Sequence, residues 1–177
     1  MESQTDILET KAAEAHQLYK SRKYADAANA FWSLAEEYTT ASMPGKAAEM
    51  KNNSSVAWLQ AGNAQLALDA ALDTHLVFEE LSDDRQAGMA YGNQAAAYDA
   101  LHKPQEALDL YRLAAEKLKT SGEKEYLSIV LKQISQLQLK TGDHLQALAS
   151  MNSALDNSSS LTGKDKFLQR FLKKIFK

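Results

Sequence analysis

Four alanines stand 40 residues apart in this chain: Ala27, Ala67, Ala107 and Ala147. Their surroundings repeat with them. They close the stretches Lys23-Tyr24-Ala25-Asp26-Ala27, Asn63-Ala64-Gln65-Leu66-Ala67, Lys103-Pro104-Gln105-Glu106-Ala107 and Asp143-His144-Leu145-Gln146-Ala147. Twelve residues before each alanine is a small residue (Ala15, Ser55, Ala95, Ser135), and nine before is Leu18, Trp58, Tyr98 or Gln138. Four residues after come Phe31, Ala71, Tyr111 and Met151; seven after come Leu34, Thr74, Ala114 and Ala154. A chain that copies itself at this interval is made of units that cannot bury their apolar faces alone and must stack on their copies.

Composition says what the units are. The 177 residues include 29 Ala, but Val and Ile together number 7, Gly 7 and Pro 2. Strands favour β-branched residues and sheets need turns, so a β or doubly wound fold is excluded and helices are expected. Each unit reads as two helices joined by a tight turn. The first helix ends near Ser21, Ala61, Leu101 and Thr141. Gly62 and Gly142 sit just past two of those ends, where a left-handed residue is wanted. Asn63 and Asp143 suit the next N-cap, and Pro104 suits a first helical position. The small residues let paired helices approach, while Tyr, Trp, Phe and Met fill the grooves between pairs.

The pattern resembles the tetratricopeptide repeat, whose signature is small-x-x-aromatic in the first helix and Ala-x-x-x-aromatic-x-x-Ala in the second. The third unit matches best, with Ala90-Tyr91-Gly92-Asn93-Gln94-Ala95-Ala96-Ala97-Tyr98 and then Pro104-Gln105-Glu106-Ala107-Leu108-Asp109-Leu110-Tyr111. A period of 40, against the family's roughly 34, resembles the long-repeat branch found in kinesin light chains, cell-polarity adaptors and bacterial peptide-sensing regulators. The connectors Glu79-Glu80-Leu81-Ser82-Asp83-Asp84 and Lys119-Thr120-Ser121-Gly122-Glu123-Lys124 are similar to that branch too. Gln138 in place of an aromatic and Thr74 in place of a small apolar residue depart from it. The resemblance implies an all-α, right-handed superhelical solenoid of four helix-turn-helix repeats over residues 1–160. The repeats run near 8–47, 48–87, 88–127 and 128–162, and an amphipathic helix follows over 163–177.

Several functions fall away. The chain has no Cys, hence no disulfide framework, thiolate nucleophile or Cys-based zinc site. His16, His75, His102 and His144 form no metal-ligand spacing, and no nucleophile elbow, dinucleotide fingerprint or P-loop occurs. No catalytic residue, metal or cofactor is therefore expected. The polar, acidic start Met1-Glu2-Ser3-Gln4-Thr5-Asp6 does not read as a targeting peptide. No apolar run approaches the roughly 20 residues of a membrane span. A cytoplasmic protein is expected. Residues 161–177 hold six Lys/Arg and one acid, net +5, while residues 1–160 hold 14 bases and 22 acids, net −8. An acidic body is not the electrostatic footprint of a nucleic-acid binder.

The resemblance turns a line of first-helix positions toward a concave groove that takes a protein or peptide partner. One such position holds Ala13, Asn53, Asn93 and Gln133. A side-chain amide both donates and accepts, matching the backbone of an extended peptide, with each bond contributing about 1 kcal/mol net. Flanking positions imply Glu49, Val56, Met89, Lys132 and Lys140 as further peptide contacts, the two lysines forming a basic patch suited to a carboxylate.

In the tail, Phe167, Leu168, Phe171, Leu172, Ile175 and Phe176 recur at helical spacing with Lys and Arg between them. Three readings stand open: a helix capping the solenoid's last apolar face, an interfacial helix that localises the scaffold as a peripheral membrane adaptor, or a helix docked on a partner.

Overall fold

The computed structural model describes residues 4–176; residues 1–3 and residue 177 lie outside the described residues. The ends of the 1–160 and 163–177 spans fall on them. The chain runs through α1 (Gln4–Lys20), α2 (Tyr24–Thr40), α3 (Pro44–Gln60), α4 (Ala64–Ala71), α5 (Thr74–Glu80), α6 (Asp84–Ala100), α7 (Pro104–Thr120), α8 (Lys124–Lys140), α9 (His144–Asn157) and α10 (Gly163–Ile175). No strand occurs among the described residues. Each helix packs chiefly on its neighbours in sequence, and α6 also meets α3, α4 and α5. The fold is an all-α repeat array.

The rhythm is finer than the repeat. Helices α1, α2, α3, α6, α7 and α8 are each 17 residues long, and a three-residue turn follows each of them and α5. The turns share one geometry. The N–H groups of Lys23, Met43, Asn63, Asp83, Lys103, Glu123 and Asp143 donate to the carbonyls of Leu18, Tyr38, Trp58, Phe78, Tyr98, Leu118 and Gln138, at 2.8–3.0 Å. The residue before each of these donors is left-handed: Arg22, Ser42, Gly62, Ser82, His102, Gly122 and Gly142 have φ between 56° and 90°. This is the Schellman closure, and its last residue doubles as the next helix's N-cap. Asn63 and Asp83 also accept from the N–H of Leu66 and Gln86. Asp143 stands at its N-cap position but makes no such side-chain bond.

Packing follows the small residues. Ala27, Ala67, Ala107 and Ala147 are at most 1% exposed, as are Ala15, Ser55, Ala95 and Ser135. Ser135 Oγ donates to the Ala147 carbonyl at 2.7 Å, so helix backbones approach within one hydroxyl of each other. Ser54 and Ser128 donate likewise to the carbonyls of Ala28 and Ala154. At Gly88 a Cβ would lie 2.7 Å from Leu118 Cγ and 3.2 Å from the Ala114 carbonyl oxygen, so only glycine fits without a shift. Gln138 fills its aromatic slot as a buried, bonded amide: it donates to Gln146 Oε1 and accepts from Ser150 Oγ.

The second unit is irregular. Its second helix, expected to be continuous, is split into α4 and α5 by Leu72 in extended and Asp73 in left-handed geometry. Thr74, the residue that departs from the repeat pattern, opens α5. Its hydroxyl lies 2.9 Å from both the Ala71 carbonyl oxygen and Asn52 Oδ1, tying the broken helix to α3. His75 stacks on Tyr91 with centroids 4.2 Å apart, and burial pushes its imidazole below the usual range. The main core is correspondingly in two clusters, one over α1–α3 and one over α6–α8, with a small one around Phe78 between them.

An L-residue in the left-handed region costs about 1–2 kcal/mol and glycine's extra freedom about 0.5–1 kcal/mol. Ser42→Gly and Ser82→Gly should therefore each stabilise by about 0.5 kcal/mol, and Gly62→Ala should destabilise by about 1 kcal/mol. Urea unfolding followed by circular dichroism checks this, and a Gly62→Ala protein as stable as its parent would contradict the turn assignment.

Candidate functional site

The first helices α3, α6 and α8 present one surface. A cavity of about 420 Å³ is lined by Glu49, Asn52, Asn53 and Val56 of α3, by Arg85, Gln86, Met89 and Asn93 of α6, and by Tyr126 of α8. Tyr126 shares this cavity with α3 although α6 lies between, so the face curves inward. A second cavity of about 230 Å³ adjoins it, since Met89, Asn93 and Tyr126 line both. Gln133, Ala96, Ile129 and Tyr111 complete its wall.

Five of the expected peptide contacts meet in the first cavity: Glu49, Asn53, Val56, Met89 and Asn93. Gln133 joins them through the second. Asn53, Asn93 and Gln133 occupy the same position of three successive first helices and are half-buried. Their amides bond to no other described residue. The neighbouring Asn52 differs: it is buried, and its Oδ1 is held by Thr74. Both asparagines line the cavity, but Asn52 braces the fold there while the Asn53 amide is unengaged.

Lys132 and Lys140 stand apart from both cavities. Lys140 Nζ is 3.1 Å from Asp99 Oδ1 and clamps the C-terminal ends of α6 and α8. Lys132 lies near Asp165 at the start of α10, where its charge helps hold that carboxyl below the usual range, after the larger effect of hydrogen bonds from Thr162. Neither lysine lines these cavities, and Lys140 is already paired with a carboxylate of its own chain.

The cavities hold residues the repeat alignment misses. Each first helix begins four residues ahead of the boundaries at 48, 88 and 128, at Pro44, Asp84 and Lys124. The added turn carries Arg85, Gln86 and Tyr126 to the groove. Arg85 pairs with Glu123 at 2.6 Å and lies 5.8 Å from the Tyr126 ring centroid, fixing that ring over the cavity. The signals were Pro44, which opens α3 at its first turn, and Asp83, which caps α6.

The wall chemistry is neutral hydrogen bonding and apolar contact. Burial, with the Asp99 carboxylate adding to it, pushes the Tyr111 phenol well above its usual range and keeps it neutral. Among the described residues no group of three or more His, Asp and Glu is placed to hold a metal ion. A larger cavity, about 620 Å³, opens at the α4–α5 break between Pro44, Ala47, Ala48, Leu72 and Val77. It arises from a single irregularity and collects none of the repeated positions.

At the end of the array, α10 lies on α9. Thr162 and Asp165 form a reciprocal capping box at its start. Gln169 Nε2 donates to Asp156 Oδ1 at 2.8 Å, and Lys173 Nζ sits 2.9 Å from the same atom. The apolar stripe expected as one face divides in two. Leu172 is fully buried and Leu168 half-buried, whereas Phe167, Phe171, Ile175 and Phe176 are exposed. At about 100° per residue, the six side chains span roughly half the helix circumference, more than one contact covers. No helix among the described residues is long and apolar enough to cross a membrane.

No protein-family model and no curated protein matches the chain. Solved structures do. One is similar over 89% of this chain and 70% of its own: the crystal structure of BtubC (BKLC) from P. vanneervenii, with a TM-score of 0.75 and 16% identity. At that identity the likeness concerns the fold.

Seating of α10 should rest on Leu172. Leu172→Ala is expected to cost about 2–4 kcal/mol and to speed amide exchange through α10, while Phe171→Ala should change stability by less than about 0.5 kcal/mol. Equal effects of the two would contradict the split face.

Proposed function

We propose that this protein is a non-catalytic, cytoplasmic interaction scaffold of the tetratricopeptide type, which holds an extended segment of a partner protein in the groove of its first helices. The observation that carries this reading is the row of unengaged amides. Asn53, Asn93 and Gln133, one per unit, stand on two adjoining cavities with no bond to any other described residue. Polar groups half-removed from water at repeated positions suit the N–H and C=O groups of an incoming backbone. Val56, Met89, Ile129 and the Tyr126 ring offer apolar contact beside them, which supports recognition of a peptide with intermittent apolar side chains.

The groove is also only weakly charged. Glu49 is 3.2 Å from Lys46, and Arg85 is matched by Glu123. Affinity would then come from hydrogen bonds and apolar burial, and it would change little with salt.

Capture of partners from lysate, with identification by mass spectrometry, tests the reading. Two amides forming one or two bonds each, at about 1 kcal/mol per bond, make Asn53→Ala with Asn93→Ala expected to weaken binding roughly tenfold to a hundredfold. Helicity should be unchanged. Undiminished capture by the double variant would overturn the amide row as the binding element.

A further inference from the structure

We propose that the outward face of α10 docks on an anionic lipid membrane, and that it does so while the helix stays seated on the solenoid. The seat and the outer face are different residues. Leu172 is buried against the array, and Gln169 and Lys173 both engage Asp156. Phe167, Phe171 and Ile175, at i, i+4 and i+8, form a single ridge on the other side, exposed by 74%, 53% and 47%. The ridge is not left over from a loosely held helix, because α10 is capped at its start and pinned along its length.

Charge selects the occupant. Lys164, Lys166, Arg170 and Lys174 lie beside the ridge, exposed, and none is in an ion pair among the described residues. The tail's only acid, Asp165, is held in the capping box. The outer face is therefore apolar and cationic with no carboxylate of its own, the combination that settles at the headgroup boundary of anionic lipid. The body, with its net charge of −8 over residues 1–160, is repelled by the same surface. The molecule would thus sit tail-down with its groove free.

A second copy is a poor occupant. Two such faces carry like charge, and one 13-residue helix offers far less than the roughly 800 Å² per partner of a standard interface.

The test is co-sedimentation of the full chain with vesicles of phosphatidylcholine alone or mixed with phosphatidylserine. The expected result is binding to the mixed vesicles, release by high salt, and a roughly tenfold or greater loss in Phe167→Gln with Phe171→Gln and in Lys164→Glu with Lys174→Glu. Both variants should melt like the parent, since none of these residues is in the seat. The groove variant Asn53→Ala with Asn93→Ala should bind vesicles normally, so failure of one reading is distinguishable from failure of the other. No binding to the mixed vesicles, equal binding to neutral ones, or binding insensitive to both tail variants would overturn the proposal. So would light scattering that shows a dimer which the phenylalanine variant dissociates. Exchange of the α10 amides that rises on vesicles would overturn the seated mode.

Discussion

The bond from each N-cap N–H back to the preceding helix recurs seven times, and the array depends on it. Lys23 reaching Leu18, Met43 reaching Tyr38 and so on to Asp143 reaching Gln138 close these seven turns in three residues each. A turn this short leaves no slack. Two helices so joined must lie antiparallel and close, and that closeness is tolerable only where Ala, Ser or Gly faces the neighbouring backbone. Ala27, Ala67, Ala107 and Ala147 are buried for that reason. The first helices α1, α3, α6 and α8 are all 17 residues long. Equal lengths bring the first helices of successive units into one row, so their side chains face a shared surface.

The second unit shows what happens when the rule is strained. Turns of the same kind bracket residues 64–80, yet the segment breaks at Leu72 and Asp73. Here four buried positions are polar: Asn52, Ser54, Ser55 and Thr74. Hydrogen bonds from Ser54 to Ala28 and between Thr74 and Asn52 hold a region where the core is thin. The groove starts at this region, since Asn52 also lines the first cavity. Asn52 and Asn53 divide the two duties between adjacent residues.

Much of this was legible in the sequence, and the gaps have physical causes. The 40-residue period, the helix pairs and the tight alanines could be read because small residues at a close crossing admit few alternatives. The 20-residue half-period was hidden. Its left-handed position is glycine in the turns at Gly62, Gly122 and Gly142, but Arg22, Ser42, Ser82 and His102 fill the rest, and such residues sit far more often at negative φ. That same gap placed the first helices one turn late and left Tyr126 and Arg85 out of the groove. The break in the second unit has no Pro or Gly to announce it; only Thr74 departed from pattern. Lys132 and Lys140 were assigned to the groove by helical position. Lys140's carboxylate partner, Asp99, comes from a neighbouring helix that position alone does not reveal. The tail's apolar residues lie on one helix, but which of them face the solenoid depends on the seat that α9 provides.

The chain has two surfaces with unlike chemistry: a nearly neutral groove of amides and apolar side chains, and a cationic, aromatic ridge at the far end. The central claim is that the groove is where a partner lies. A photo-reactive side chain at Gln86, on the wall of the first cavity, compared with one at the exposed Leu113 on α7, tests it most directly. Cross-linking in cells should join a partner segment to position 86 and not to position 113. Cross-links from position 113 alone would contradict the account.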